Sequence, residues 1–319
     1  MAFRKPQEYK IGGKFLIYGF THEGKSWFGL TFPKIAAIDS EAGLAFDEGK
    51  DIEINGKKYN NLILVDTTAD LDTLEENLDA IIDGEIDCDT LLIDSETKFY
   101  NTMDIGSTEI EERKARISGK NIDARSKWGR IKQINMKLQQ AKITLSSQGK
   151  HIVSTAQGLE IKDDDNKLIG YKPDVHKSLP FDYDIILRFF VETDKKSKER
   201  KFFAEVLKDR THVKKPGDII ENCTYDIWKN HFENRKGSAV GVNFSQELKQ
   251  SVEGVMNKAE QSERLSKELK ILIKEKSENN KENIKVIKEK MSELKIDIKN
   301  LDLENVEALE SMIKFIKLL

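Results

Sequence analysis

The sequence predicts a mostly parallel α/β fold with antiparallel strands at one edge, followed by a helical C-terminal appendage. Three observations carry this. Short apolar runs alternate with helix-periodic segments over the first half of the chain, the pattern of parallel strands joined by crossover helices. Two later β-prone runs, Tyr183 to Val191 and Lys201 to Leu207, flank the polar turn Asp194 to Arg200, which suits an antiparallel pair. After about Ser245 proline disappears, aromatics nearly vanish, and Lys and Glu dominate. The expected division is a core at 1–244 and an appendage at 245–319.

The first strand is Lys14 to Tyr18, running straight into Gly19-Phe-Thr-His-Glu-Gly-Lys-Ser26. A helix follows from about Lys25 to Thr31, closed by Pro33, which a helix interior does not tolerate. Ile35 to Ile38 is the next strand. Residues 51–65 read as a hairpin around Asn55-Gly56, a strong type I′ turn signal. Asp72 to Ile82 is helical, Thr90 to Ile93 a buried strand ending at Asp94, and Trp128 to Ser147 a helix by the spacing of Ile131, Ile134, Leu138 and Ala141. His151 to Thr155 is a further buried strand, ending at Gln157. In the appendage, Leu265, Leu269 and Leu272 share a helical face. Ile284, Ile287, Met291, Leu294 and Ile298 form a second stripe, and Val306, Leu309, Met312, Ile313 and Ile316 a third. Such stripes suit helices packing on themselves or on the core, or a partner-binding module.

Composition narrows the class. Of 319 residues, 38% are hydrophobic, enough for a core, and 34% are charged, which marks a long solvated part. The net charge is −3 and the pI about 6.1, so any affinity for nucleic acid rests on a local patch. Cys88 and Cys223 stand far apart and outside any CxxC pair, which argues against a disulfide framework or a zinc site. Met1 to Lys10 carries no apolar signal core, and no run approaches the ~18 apolar residues of a membrane span. The expectation is a cytoplasmic protein with no membrane partner.

Gly19-x-x-x-x-Gly24-Lys25-Ser26 matches the phosphate-binding loop of nucleotide-binding proteins. The glycines allow a tight turn whose N–H groups face phosphate oxygens, so Gly19, Phe20, Thr21, His22, Glu23, Gly24, Lys25, Ser26 and Trp27 form the candidate ATP cradle. Lys25 supplies charge to the β- and γ-phosphates, and the Ser26 hydroxyl is a Mg²⁺ ligand. Asp94, at the end of an apolar strand, suits a Mg²⁺ held through water. Glu41, just past the second strand, is either the base that polarises attacking water or a solvated loop acid. Gln157 either senses the γ-phosphate or bonds its own loop. Lys208 and Arg210, at i and i+2, either reach a neighbouring subunit's phosphates or form a charged turn.

From Arg113 to Lys132 the chain holds eight Lys or Arg and one acid, Asp123, with Trp128 among them. Cations that track phosphates beside an aromatic that stacks a base suit single-stranded nucleic acid. Arg113, Lys114, Arg116, Lys120, Arg125 and Lys127 are the candidate DNA contacts; a solvated helix face, with Trp128 in the core, is the alternative. The connection from Gly158 to Phe181 reads as a second long loop at the ligand edge.

Taken in order, the P-loop, Ile38-Asp-Ser-Glu41-Ala, Leu92-Ile-Asp94-Ser95, the strand ending in Gln157, and Lys208-x-Arg210 resemble the RecA/Rad-type recombinase ATPases. Thr31-Phe-Pro33 and Phe181-Asp-Tyr-Asp-Ile-Ile-Leu-Arg188 resemble the short phage-encoded Sak group, which acts in single-strand annealing. The resemblance covers about residues 12–215. It implies a RecA-like P-loop core, catalytic Glu41, Mg²⁺-associated Asp94, sensor Gln157, and Lys208 and Arg210 completing a neighbour's site. It further implies a ring or filament of identical subunits, DNA-stimulated ATP hydrolysis, single-stranded DNA as partner, and DNA-binding loops at 113–127 and 158–180. A single-strand binding protein or another replication protein is an expected partner. The loop Thr21-His22-Glu23 lacks the extra glycine or proline of many P-loops. The short segment before Gly12 favours annealing over strand exchange. A nucleotide-switched accessory protein with little turnover and a helicase-like motor are the alternatives.

Overall fold

The computed structural model describes residues 5–119, 121–194, 198–278, 281–297, 301 and 306–319. They form two compact units, Met1–Ser245 and Gln246–Leu319.

The first unit is built on a nine-stranded sheet. Strands β1 (Lys14–Gly19), β2 (Ile35–Asp39), β5 (Leu62–Asp66), β6 (Thr90–Asp94), β7 (His151–Lys162) and β9 (Ile185–Thr193) run parallel, in the spatial order β9-β1-β7-β6-β2-β5. Beyond β9 lie β10 (Arg200–Asp209) and β11 (Ile219–Glu221), both antiparallel to their neighbours. Between β2 and β5 sits a separate hairpin, β3 (Ile52–Ile54) and β4 (Lys57–Tyr59).

Period-two alternation sends each central strand into two cores. On β1, Phe15 and Ile17 face Phe28, Phe32, Trp228 and Phe232, the side of helices α1 (Lys25–Gly29) and α6 (Asp226–Glu233). Leu16 and Tyr18 face Leu74, Phe99, Leu138 and Leu145, the side of α2 (Leu71–Ile82), α3 (Glu96–Ser118) and α4 (Ala124–Ser147). Asp70 caps α2 by accepting from Thr73 N at 2.8 Å, and Asp123 caps α4 by accepting from the N–H groups of Arg125 and Ser126. A short α5 (Leu179–Asp182) leads into β9.

Four expectations need correction. The helix after the loop is shorter than Lys25 to Thr31. It ends at Gly29, and the N–H groups of Thr31 and Phe32 close tighter turns onto the carbonyls of Phe28 and Gly29 before Pro33 disfavours further helix. The hairpin at 51–65 stops at Tyr59; Asn55 (φ 53°) and Gly56 (φ 73°) make its turn, while Leu62–Asp66 is apolar enough to join the main sheet beside β2. The basic stretch 113–127 is no loop: it is the end of α3, a short connection and the start of α4. The segment 158–180 is no loose connection either. β7 continues past Gln157 and pairs with β8 (Leu168–Pro173), and Asp163 Oδ1 closes the turn by accepting from the N–H groups of Asp165 and Lys167.

The second unit is helical: α7 (Phe244–Glu278), α8 (Lys281–Glu293) and α9 (Val306–Lys317). Leu265, Leu269, Ile287, Met291, Leu309, Met312, Ile313 and Ile316 are buried together, so the three apolar stripes pack on one another. Ile298 lies outside the described residues.

Candidate functional site

The parallel registers gather the site at the carboxyl end of the sheet. Gly19 on β1 stands opposite Gln157 on β7, and Asp39 on β2 opposite Asp94 on β6. The loop Gly19–Ser26 springs from β1 at this edge. Gly19 has no room for a side chain: a Cβ there would lie 2.5 Å from Glu23 Oε2 and 2.6 Å from the Phe189 carbonyl oxygen. Gly24 turns with φ 89°, a conformation that favours glycine.

Within the loop, Lys25 Nζ donates to the Phe20 carbonyl at 2.6 Å, and burial lowers its proton affinity. The Phe20 N–H donates in turn to the Glu23 carboxylate, which burial holds above the usual carboxylate range. Ser26 Oγ donates to Asp94 Oδ2 at 2.6 Å, and Thr155 Oγ1 donates to the other oxygen at 2.5 Å. Burial pushes the Asp94 carboxyl up; these two hydrogen bonds oppose that shift, and the neighbouring carboxylates of Asp39 and Glu41 add to it. A hydroxyl and a largely enclosed carboxylate in contact fit a phosphate-bound Mg²⁺.

Glu41 is presented by a fixed turn. Buried Asp39 accepts from the N–H groups of Glu41 at 3.1 Å and Leu44 at 2.8 Å. Glu41 Oε1 accepts from Ser95 Oγ at 2.9 Å and from Gln157 Nε2 at 3.4 Å. Gln157 is anchored by its own backbone: its N–H donates to Thr97 Oγ1, and its carbonyl accepts from Asp174 N at the end of the β7–β8 arm. A cleft of about 580 Å³, lined by Asp39, Ser40, Glu41, Thr67, Thr68 and Lys98, opens beside Glu41.

Lys208 and Arg210 lie elsewhere. Lys208 pairs with Ile186 near the start of β9, while the loop follows the far end of β1, where Tyr18 pairs with Arg188. Lys208 Nζ donates to the carbonyls of Pro180 and Phe181. Arg210 donates to the Phe181 carbonyl and to Asp184 Oδ1, at 3.4 Å each. The fold therefore does not bring this pair to its own phosphate loop.

Arg113, Lys114, Arg116 and Arg125 are exposed around the α3–α4 tip, and Lys120 lies outside the described residues. Lys114 is tied to Glu111 at 3.0 Å, and Lys127 to Asp104 at 2.9 Å. Trp128 is not a core residue; it is 50% exposed, with Lys127 Nζ 5.1 Å from its ring. Sequence reasoning missed Ser95 and Thr155, which hold the two acids, and Arg200, whose Nη2 donates to the His22 carbonyl at 3.0 Å. Ser95 and Thr155 flank motif residues and were findable on that ground; Arg200 carried no signal.

Residues 11–215 match the AAA domain family. Among solved structures, a KaiC-like protein of Pyrococcus horikoshii is 14% identical, covering 67% of this chain and 86% of its own, with a TM-score of 0.39. The flagellar accessory protein FlaH of Methanocaldococcus jannaschii is 12% identical, covering 67% and 85%, with a TM-score of 0.33. Neither likeness bears on function. No curated protein sequence matches the chain. Among the described residues, no helix is long and apolar enough to cross a membrane.

Proposed function

This chain belongs to the AAA domain family, and from that premise we propose that it binds and hydrolyses ATP as a RecA-like ATPase acting on single-stranded DNA. The observation that carries the reading is the convergence at one sheet edge: Ser26 on Asp94, and Glu41 within hydrogen-bond reach of both Ser95 and Gln157, all beside Gly19. Such an edge is where parallel α/β sheets bind ligands.

ATP is held by the Gly19–Ser26 backbone, with Lys25 leaving the Phe20 carbonyl to meet phosphate. Ser26 and Asp94 are the residues that hold Mg²⁺, which when bound neutralises charge on the β- and γ-phosphates. Glu41 orients and deprotonates the attacking water. Gln157 shares a hydrogen bond with Glu41, so a shift of its amide towards the γ-phosphate alters both the base and the β7–β8 arm. Lys208 and Arg210, remote from their own loop, serve a neighbouring subunit in a ring or filament. The exposed cations at the α3–α4 tip contact DNA phosphates. In this reading the protein is a cytoplasmic, phage-type annealing or recombination ATPase of the Sak group.

Turnover tests this. ATP hydrolysis, measured with and without single-stranded DNA, is expected to rise with DNA in the wild type. It falls about 100-fold or more in Glu41→Gln, the size of a lost general base. Tight ATP binding without DNA-stimulated turnover favours the accessory reading, for which the separately packed helical unit 246–319 offers a recruiting surface. Strand displacement on a duplex favours the motor.

A further inference from the structure

Sheet order gives the bound nucleotide a direction. Gln157, Asp94 and Glu41 lie on β7, on β6 and just past β2, all to one side of β1. In the nucleotide reading proposed above, the terminal phosphate faces them. The nucleoside end of the same ligand therefore leaves the loop on the other side, towards β9 and β10.

What it meets there is an aromatic ring set against the loop. A Cβ built on Gly24 would lie 3.5 Å from Phe202 Cδ1 and 4.0 Å from Phe189 Cδ1. Phe202 shares its face of β10 with Ala204 and Val206, which pack with Phe28 of α1, so the ring lies on the α1 side of the sheet. Phe202 is half-buried, and Trp27 is 46% exposed. Arg200 backs the ring, with its guanidinium carbon 5.5 Å from the Phe202 centroid, and ties β10 to the loop through the His22 carbonyl. His22 sits at φ 61°, unusual for a residue with a side chain, so this bond holds the loop at a point of strain.

We propose that Phe202 is the wall on which the nucleobase stacks, that Arg200 is the positioning residue that holds this wall against the phosphate loop, and that the site prefers purines. The proposal rests on the nucleotide reading above. Every base presents a π-face, and the larger purine surface gains more from an aromatic partner. An arginine lying on that partner extends the platform.

Titration calorimetry separates this proposal from the reading it rests on. The Mg²⁺ complexes of ATP, CTP and tripolyphosphate are titrated into the full chain as wild type, Phe202→Leu, Phe202→Trp and Arg200→Gln. The wild type is expected to bind ATP about tenfold more tightly than tripolyphosphate, the size of one base–aromatic stack, and more tightly than CTP. Phe202→Leu loses that preference while its tripolyphosphate affinity stays, Phe202→Trp keeps the preference, and Arg200→Gln weakens it. Equal affinity of the wild type for ATP and tripolyphosphate overturns the proposal. So does an undiminished ATP preference in Phe202→Leu. If Phe202→Leu fails to fold, the wild-type ratios and Phe202→Trp still decide. If the wild type binds none of the three, the nucleotide reading itself falls, and the wall with it.

Discussion

Beneath the site, Glu96 and Lys142 form a buried ion pair, and Ser154 Oγ donates to the same carboxylate oxygen at 2.8 Å while accepting from the Tyr183 hydroxyl at 2.6 Å. Glu96 follows Ser95, the residue that holds Glu41. Removing one member strands the other: Lys142→Met is expected to cost about 3–5 kcal/mol of stability, and Lys142→Met with Glu96→Leu much less, as urea denaturation measures. His151, at the start of the strand that passes beside the phosphate loop, is held neutral. Its Nδ1 accepts from Gly13 N, its Nε2 meets the Tyr225 hydroxyl at 3.0 Å, and burial lowers its pKa from 6.5 to about 4. Once unfolded, the imidazole takes a proton below about pH 6.5. Its contribution is thus full above pH 6.5 and is lost as pH falls towards 4, by about 3 kcal/mol in all. Unfolding midpoints at pH 7 and pH 5 check the direction, and the ring's NMR titration assigns it to His151.

At the scale of elements, the α3–α4 hairpin separates available cations from spent ones. Glu111 is buried and takes both Lys114 and Arg130, and Asp104 takes Lys127. Arg113, Arg116 and Arg125 are exposed. Replacing these three with glutamine is expected to cut the slope of log affinity against log salt for single-stranded DNA by about 2, at roughly 0.7 per phosphate contact. Fluorescence anisotropy at several salt concentrations reads this; an unchanged slope removes DNA from the tip.

The same hairpin shows where sequence reading stops. Ile105, Ile110 and Ile117 on α3 are all exposed, and the buried stripe that begins with Phe99 and Met103 turns polar at Ser107 and Glu111, so no apolar periodicity announces the second half of the helix, and Gly119 and Gly129 look like loop punctuation. In the β7–β8 arm, Leu159, Leu168 and Ile169 are exposed, so the strands leave no inward alternation to read. By contrast β1, β2 and β6 are buried on both faces and stand out as apolar runs. The phosphate loop was legible because its chemistry is contiguous in the chain. The pairs Ser95–Glu41 and Thr155–Asp94 were not, because only strand order brings residues 54 and 61 positions apart into contact.

For the whole molecule the deciding feature is separation. Glu41, Asp94 and Gln157 gather at the carboxyl end of the parallel strands, and Lys208 and Arg210 stand at the opposite end of β9 and β10. A single copy therefore carries the two halves of the proposed site on different ends, and the proposal needs a symmetric assembly in which one copy's loop would meet the next copy's cations. Mixing two inactive variants tests this directly. Lys25→Ala lacks a working loop, and Arg210→Ala lacks the cation offered to the neighbour. Each alone is expected to hydrolyse ATP at a small fraction of the wild-type rate. In an equal mixture about a quarter of random interfaces regain an intact loop facing an intact arginine, so activity returns towards that fraction. A mixture no more active than its components, or an Arg210→Ala variant as active as the wild type, contradicts the shared site.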